Sequence, residues 1–327
     1  MQLSNTIQAP APETILIFEK PESYFFPHYS GNVFSPFGVP QPSLRYLVYK
    51  VMYLLRLPCC SLFWGRWKTA AKTAKRVIIF DYGYQLGMER YIHRINPGCQ
   101  VFLFFWNRVS RYNKGHLRFS NADAIFSTDP EDCKKFGLKY NHIFYPREFY
   151  APYALPGERD KLFFLGADKG RAACISSLKK IFEKSGLYCD IRILSHTSDT
   201  DYRERFQDIL TDKRLSYNEY LEQIADCNIL LDVNQEGQSA LTMRVMEAVY
   251  LSKKLITNNF RIQDYDFYDS NNIMVLPKEG MPTAEEIQDF LKKPFRPYPD
   301  SVLENYSFEH WVAQFKNSDA YISQAAD

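Results

Sequence analysis

The chain has 327 residues, enough for two domains of ordinary size. It is 46% hydrophobic and 24% charged, which excludes a disordered or fibrous chain, and a net charge of +2 gives no global attraction to nucleic acid. The charge is unevenly placed: Ser23–Phe80 carries eight Lys or Arg and no Asp or Glu, so that segment is +8 and the remainder sums to −6.

In chain order, residues 1–12 are polar, contain Pro and lack a basic leader, so no secretory signal is expected. Thr14–Glu19 reads as a buried strand, and the Pro- and aromatic-rich run Pro21–Pro42 as irregular loop. Leu44–Leu57 has helical length, with Leu44, Leu47, Val48, Val51, Leu54 and Leu55 on one stripe. The most apolar run, Tyr46–Trp64, is broken by Lys50, Arg56 and Pro58, which argues against a membrane span. Strands follow at Arg76–Asp81, Gln100–Trp106 and Ala122–Thr128, with a helix at Gln85–Ile95 between the first two. Asp129 is placed to cap a short helix with Pro130 at its first position, ending near Gly137. His142–Tyr145 reads as one more strand.

After the polar stretch Pro152–Asp160, which suits a linker, the pattern restarts. Strands are expected at Lys161–Leu165, Asp190–Leu194, Asn228–Val233, Lys254–Thr257 and Asn272–Leu276. Helices are expected at Arg171–Lys184, from Ser216 (with Glu219 at capping-box spacing) to Ala225, at Ala240–Leu251, after Thr283, and from Phe308. Strands alternating with helices twice over predict two parallel sheets covered on both faces, with chemistry at the carboxyl ends of the strands.

Neither Gly-x-Gly-x-x-Gly nor the phosphate-loop motif occurs. Seven cysteines form no Cys-x-x-Cys pair and six histidines show no His-Glu-x-x-His spacing, so a reduced protein without structural metal is expected. Two strand-end loops carry chemistry. Gly166-Ala-Asp-Lys-Gly-Arg171 joins a strand to a helix and brings glycine, Lys169 and Arg171 to a helix N-terminus, which suits a diphosphate or an ordinary solvated turn. The polar loop from Asn234 runs into a helix holding Thr242, Arg244 and Glu247. Arg244 and Glu247 share one face, as ligands to phosphate and ribose or as a surface ion pair.

The run Tyr-x-Glu-Tyr-Leu, Ile-Leu-Leu-Asp, Gly-Gln-Ser, Arg-x-Met-Glu-Ala and Lys-Lys-Leu-Ile-Thr-Asn-Asn, together with Gly-x-x-x-Gly-Arg, resembles the nucleotide-sugar glycosyltransferases of the GT-B fold. It is most similar to bacterial capsule, O-antigen and lipopolysaccharide transferases, over about Leu162–Leu276. The resemblance implies two Rossmann-like α/β domains and an interdomain cleft. Residues 1–152 would take the acceptor and 161–327 the donor, with a C-terminal helix near 308–327 packing back on the first domain. It places Gly166, Lys169 and Arg171 at the donor diphosphate and Glu247 on the ribose; Thr242 and Arg244, in the early turns of the same helix, are read as further donor-binding residues. Glu247→Ala is then expected to weaken donor binding with the fold intact. The chain departs from the Glu-x7-Glu pattern: Glu236 and Glu247 are eleven apart and position 244 is Arg. A nucleotide-sugar epimerase, or a non-catalytic binding or assembly protein on the same fold, are the alternatives.

Sugar transfer without Asp-x-Asp at a first-domain strand end requires cations of the chain to stabilise the leaving diphosphate, so no metal or other cofactor is expected beside the nucleotide-sugar co-substrate. Asp264-Tyr-Asp266 has Asp-x-Asp spacing in a downstream loop. An inverting enzyme needs a base: Asp81 first, then Glu19, with His28 and His93 weaker. The basic segment offers Lys50, Arg56, Trp64, Arg66, Trp67 and Lys68 to an acceptor or an anionic membrane, unless its apolar stripe packs on the sheet. The expectation is a cytoplasmic enzyme, peripheral on the inner face of the cytoplasmic membrane.

Overall fold

The computed structural model describes residues 13–20, 26, 32–39, 43–55, 58–110, 112–146, 153, 160–235 and 237–315. The chain divides into two compact units, one running to Asn141 and the other starting at His142.

In the first unit the strands are β1 (Thr14–Ile17), β2 (Val33–Phe34), β3 (Arg76–Phe80), β4 (Gln100–Phe105), β5 (Ala124–Ser127) and β6 (Lys139–Tyr140). They form one parallel sheet in the order β2-β1-β3-β4-β5-β6. β3 is buried at every position, which is why it reads as an unbroken apolar run rather than an alternating one. The chain leaves β1 toward one edge to make β2 and returns to the other side as β3, so the switch point lies between β1 and β3. The strand β2 falls in the segment read as irregular loop. At only two residues it lies below what periodicity can detect. The Pro130–Phe136 helix forms as its caps dictate: the Asp129 carboxylate accepts from the Glu131 and Asp132 amides, and Gly137 ends it in the left-handed region.

The second unit contains β7 (Lys161–Ala167), β8 (Tyr188–Leu194), β9 (Leu210–Thr211), β10 (Ile229–Asp232), β11 (Lys254–Thr257) and β12 (Ile273–Val275). Its parallel order is β12-β11-β10-β7-β8-β9, which counted within the unit is the Rossmann order 3-2-1-4-5-6. Here the switch point lies between β7 and β10. The Ala172–Lys184 helix buries Ala172, Ile175, Leu178 and Phe182 on the sheet, and the Tyr217–Ala225 helix starts on the expected Ser216–Glu219 capping box.

Several expectations change. His142–Tyr145 makes no strand. Instead the Tyr145 amide donates to Tyr306 O at 2.8 Å, and Phe144 packs on Phe308 and Trp311 of the Phe308–Gln314 helix. That described part of the C-terminal helix therefore packs inside the second unit; residues 316–327 lie outside the described ones.

The helix Leu44–Leu54 does not lay its apolar stripe on the sheet. The sheet face near it is covered by Trp64, Trp67 and Ala71, which pack with Ile15, Ile17, Val77 and Ile79. Trp67 is wholly buried and donates through Nε1 to Pro36 O at 3.1 Å, and Trp64 is buried beside it, so neither belongs to the exposed basic surface expected of them. The helix rests instead on a ring layer in which Tyr49 meets Phe37, Tyr46, Tyr53 and Phe63.

Candidate active site

The carboxyl edge of the second sheet gathers the donor-side candidates. Gly166 lies near the end of β7, and a Cβ there would come within 3.2 Å of Arg171 Nη2, 3.2 Å of Phe164 Cζ and 3.4 Å of Arg244 Nη2. Two guanidinium groups thus converge on the one residue without a side chain. Both lie over the Phe164 ring, Arg171 with its Cζ 5.4 Å and Arg244 4.6 Å from the centroid. Burial, and then the repulsion from Arg244, hold the Arg171 charge less firmly than in water. Such a like-charge pair at a strand end is costly unless anions share the site.

Arg244 is anchored on both sides. Nη1 donates to Asp232 Oδ1 at 3.1 Å and Nη2 to Leu165 O at 2.7 Å, and its side chain is 13% exposed. Among the described residues its buried Nε has no hydrogen-bond partner. Asp232, fully buried at the end of β10, also accepts from Thr242 Oγ1 at 2.9 Å and Thr257 Oγ1 at 3.2 Å. Thr242 is the N-cap of the Met243–Tyr250 helix, so it aims Arg244 while ending the loop.

Arg171 departs from a simple phosphate ligand, because its guanidinium donates to the carbonyls of Val233, Ala167 and Asp168. It ties the loop after β7 to the end of β10. The helix N-terminus expected to face a diphosphate is capped from within: Asp168 Oδ1 accepts from the amides of Arg171 and Ala172, both at 3.2 Å, and Oδ2 accepts from Tyr202 Oη at 2.5 Å. Lys169 adopts a left-handed φ of 48° beside Gly170 at 78°, and its charge is disfavoured by burial and by Arg171.

Glu247 is buried, not presented to solvent. Its carboxylate accepts from Tyr217 Oη at 2.8 Å and Tyr220 Oη at 2.6 Å. Burial raises its pKa, opposed by the Tyr220 hydroxyl and the Arg244 charge. Arg244 and Glu247 share a helix face, as their spacing requires, but the partners they find are Asp232 and two tyrosines rather than each other. The loop between them and β10 is stapled from β11: Asn234 N donates to Asn258 Oδ1 at 2.7 Å, Asn258 Nδ2 to Asn234 O at 3.2 Å, and Asn259 Nδ2 to Ser239 O at 3.2 Å. Glu236 lies outside the described residues.

The carboxyl edge of the first sheet carries the base candidates. Asp81 directly follows β3, is 5% exposed, and accepts from Trp106 N at 3.0 Å through Oδ1 and from Asn113 Nδ2 at 3.2 Å through Oδ2. Burial pushes its pKa up to about 6 against the lowering effect of those donors. Gly83 closes the same turn where a Cβ would meet Ile17 O at 3.0 Å, so the turn needs glycine to pass the end of β1. Glu19, two residues past β1, is exposed on this edge, as is Tyr82, whose hydroxyl burial and the charges of Asp81 and Glu19 push upward. His93 belongs to the opposite edge, 3.3 Å from Asp123, which precedes β5. His28 and Arg56 lie outside the described residues.

Of the remaining basic residues, Lys50 is exposed over the Tyr46 ring, Arg66 is exposed, and Lys68 Nζ donates to Ser61 O at 3.0 Å. Asp266 accepts from Asn305 and Tyr306, and in Asp199-Thr-Asp201, a second Asp-x-Asp spacing, Asp199 caps the Thr200–Arg205 helix. Among the described residues no group of three or more His, Cys, Asp or Glu is placed to hold a metal ion, and no helix is long and apolar enough to cross a membrane. Sequence reasoning missed Phe164, Asp168, Tyr217, Tyr220 and Asp232. The Tyr-x-Glu-Tyr run and the strand-end Asp were visible, but nothing in a pattern says which carboxylate a tyrosine reaches.

Two Rossmann-like α/β units with all-parallel sheets define the GT-B class of fold. The structure of AviGT4, a glycosyltransferase involved in avilamycin A biosynthesis, is similar over 76% of each chain, with a TM-score of 0.53 at 11% identity. The wall teichoic acid polymerase TagF aligns over 76% of this chain and 68% of its own, with a TM-score of 0.31 at 14% identity. No protein-family model and no curated protein matches the sequence.

Proposed function

We propose that this chain is a glycosyltransferase that moves a hexosyl unit from a nucleoside-diphosphate sugar to a glycan or lipid-linked acceptor, in bacterial surface polysaccharide synthesis. The observation that carries the reading is the convergence of Arg171 and Arg244 on Gly166 at the switch point of a Rossmann-ordered sheet.

In this reading the donor diphosphate lies against Gly166, with Lys169 and the Arg244 guanidinium on the side of its oxygens. Arg171 and Asp232 hold that frame in place. Glu247 with its two tyrosines forms the floor toward the ribose. The acceptor hydroxyl oxygen bonds to the anomeric carbon as the bond from that carbon to the diphosphate oxygen breaks. The electron pair leaves with the diphosphate, whose growing charge meets fixed cations rather than reorganising water. When the transfer inverts, Asp81 takes the acceptor proton; its elevated pKa makes it a stronger base than an exposed carboxylate while leaving it ionised at neutral pH. Leaving-group stabilisation by the chain's own cations also predicts turnover that survives chelation of divalent metal.

Calorimetric titration with a panel of nucleoside diphosphates tests the donor site. At least one should bind, and Arg244→Ala should weaken it by more than tenfold while Arg66→Ala leaves it unchanged. A panel without a binder, or equal affinities in both variants, overturns the proposal.

A further inference from the structure

The Leu44–Leu54 helix buries one side and leaves the other bare. At about 100° per residue, Leu44, Leu47, Val48, Val51, Leu54 and Leu55 fall within an arc of about 120°. All six are exposed, Leu44 by 77% and Leu54 by 80%, and Leu62 on the adjoining Pro58–Phe63 turn is exposed by 75%. Tyr49, the one fully buried residue of the helix, lies opposite that arc. A soluble surface rarely keeps so many aliphatic side chains together without a use for them.

Charge distinguishes the possible occupants. On the same projection Arg45 and Lys50 flank the arc, one on each side, and both are exposed. Arg66 and Lys72 are exposed nearby in sequence, and the segment Ser23–Phe80 itself contains no Asp or Glu, Glu19 being the carboxylate whose charge reaches Tyr46 on the buried side of the helix. A second copy of this face would bring Arg45 and Lys50 against like charges, and a basic rim around an aliphatic stripe has no complement in itself. Its complement is a surface that is anionic at the headgroups and apolar just beneath.

We propose that the aliphatic face of this helix docks the chain on an anionic phospholipid bilayer. Leu44, Leu47, Val51 and Leu54 enter the acyl boundary and Arg45 and Lys50 meet the headgroups. The contact is made by these side chains and not by Trp64 and Trp67, which are core residues, and it requires no sugar transfer by the chain.

Flotation of the full chain with vesicles tests it. Wild type should float with vesicles of phosphatidylethanolamine doped with phosphatidylglycerol, float much less with pure phosphatidylcholine, and be released as salt rises. Leu47→Glu with Val51→Glu should abolish flotation with an unchanged melting curve, because both positions are already in water. Arg45→Gln with Lys50→Gln keeps the aliphatic face and should lower the partition coefficient roughly thirtyfold, at about a kilocalorie per cation. Failure of wild type to float, equal flotation of the glutamate variant, or a wild-type dimer in sedimentation velocity that the glutamate variant splits would each overturn it.

Discussion

Asp81 and Glu247 are both buried carboxylates, yet their surroundings give them different consequences on mutation. Asp81 titrates near 6 in the folded chain against 3.8 for an ordinary aspartate. Between those values the folded state holds more protons than the unfolded one, so this group makes stability fall as pH rises through the window. Asp81→Asn should therefore melt no lower than wild type above that window, provided the Asn oxygen keeps the Trp106 amide, while turnover drops by about 10²–10⁴-fold. Wild-type kcat/KM should fall on the acid side with a midpoint near 6, as the base protonates; a profile flat through that range removes Asp81 from the role. Glu247→Ala behaves otherwise. It takes the acceptor from the buried Tyr220 hydroxyl, which costs about 1–3 kcal/mol of unfolding free energy read by urea denaturation, so donor affinity and stability fall together. The sequence-based expectation of an intact fold assumed an exposed carboxylate.

At the scale of elements, caps and continuous strands were legible because their causes are local. Asp129-Pro130, Ser216 with Glu219, and the Thr283 cap each appear as expected, since a cap needs only a side chain and the next three amides; Glu286 closes the Thr283 cap into a box. The 44–54 stripe misled for the complementary reason. Periodicity states that one face is apolar and is silent on whether another element has already covered the sheet, as Trp64 and Trp67 have. The loops after β7 and β10 lie at strand ends as the strand–helix alternation requires, but their internal bonding was not visible: Asp168 takes the helix amides and Arg171 takes carbonyls, both choices made by tertiary contacts. The loop beginning at Asn234 depends on β11 for its shape. Asn258→Ala removes both bonds of the reciprocal pair and should speed hydrogen exchange at the Asn234 amide and weaken nucleotide binding, with a stability loss of about 1–2 kcal/mol. Unchanged exchange there would mean that the loop holds its own conformation.

For the molecule as a whole, a nucleoside diphosphate that binds only the folded chain should raise its stability by about 2.7 kcal/mol at a hundredfold excess over Kd, seen as a calorimetric shift that free hexose does not produce. The strand order has a different consequence, for how the chain reaches this state. Every pairing between named strands is parallel, so no two of them can zip through a tight hairpin. β10 must find β7 across more than sixty intervening residues, and until it does the runs LFFL and ILLD stand open. Refolding from urea should accordingly be slow and lose yield as protein concentration rises, through association of those open strands rather than through any defect of the finished fold.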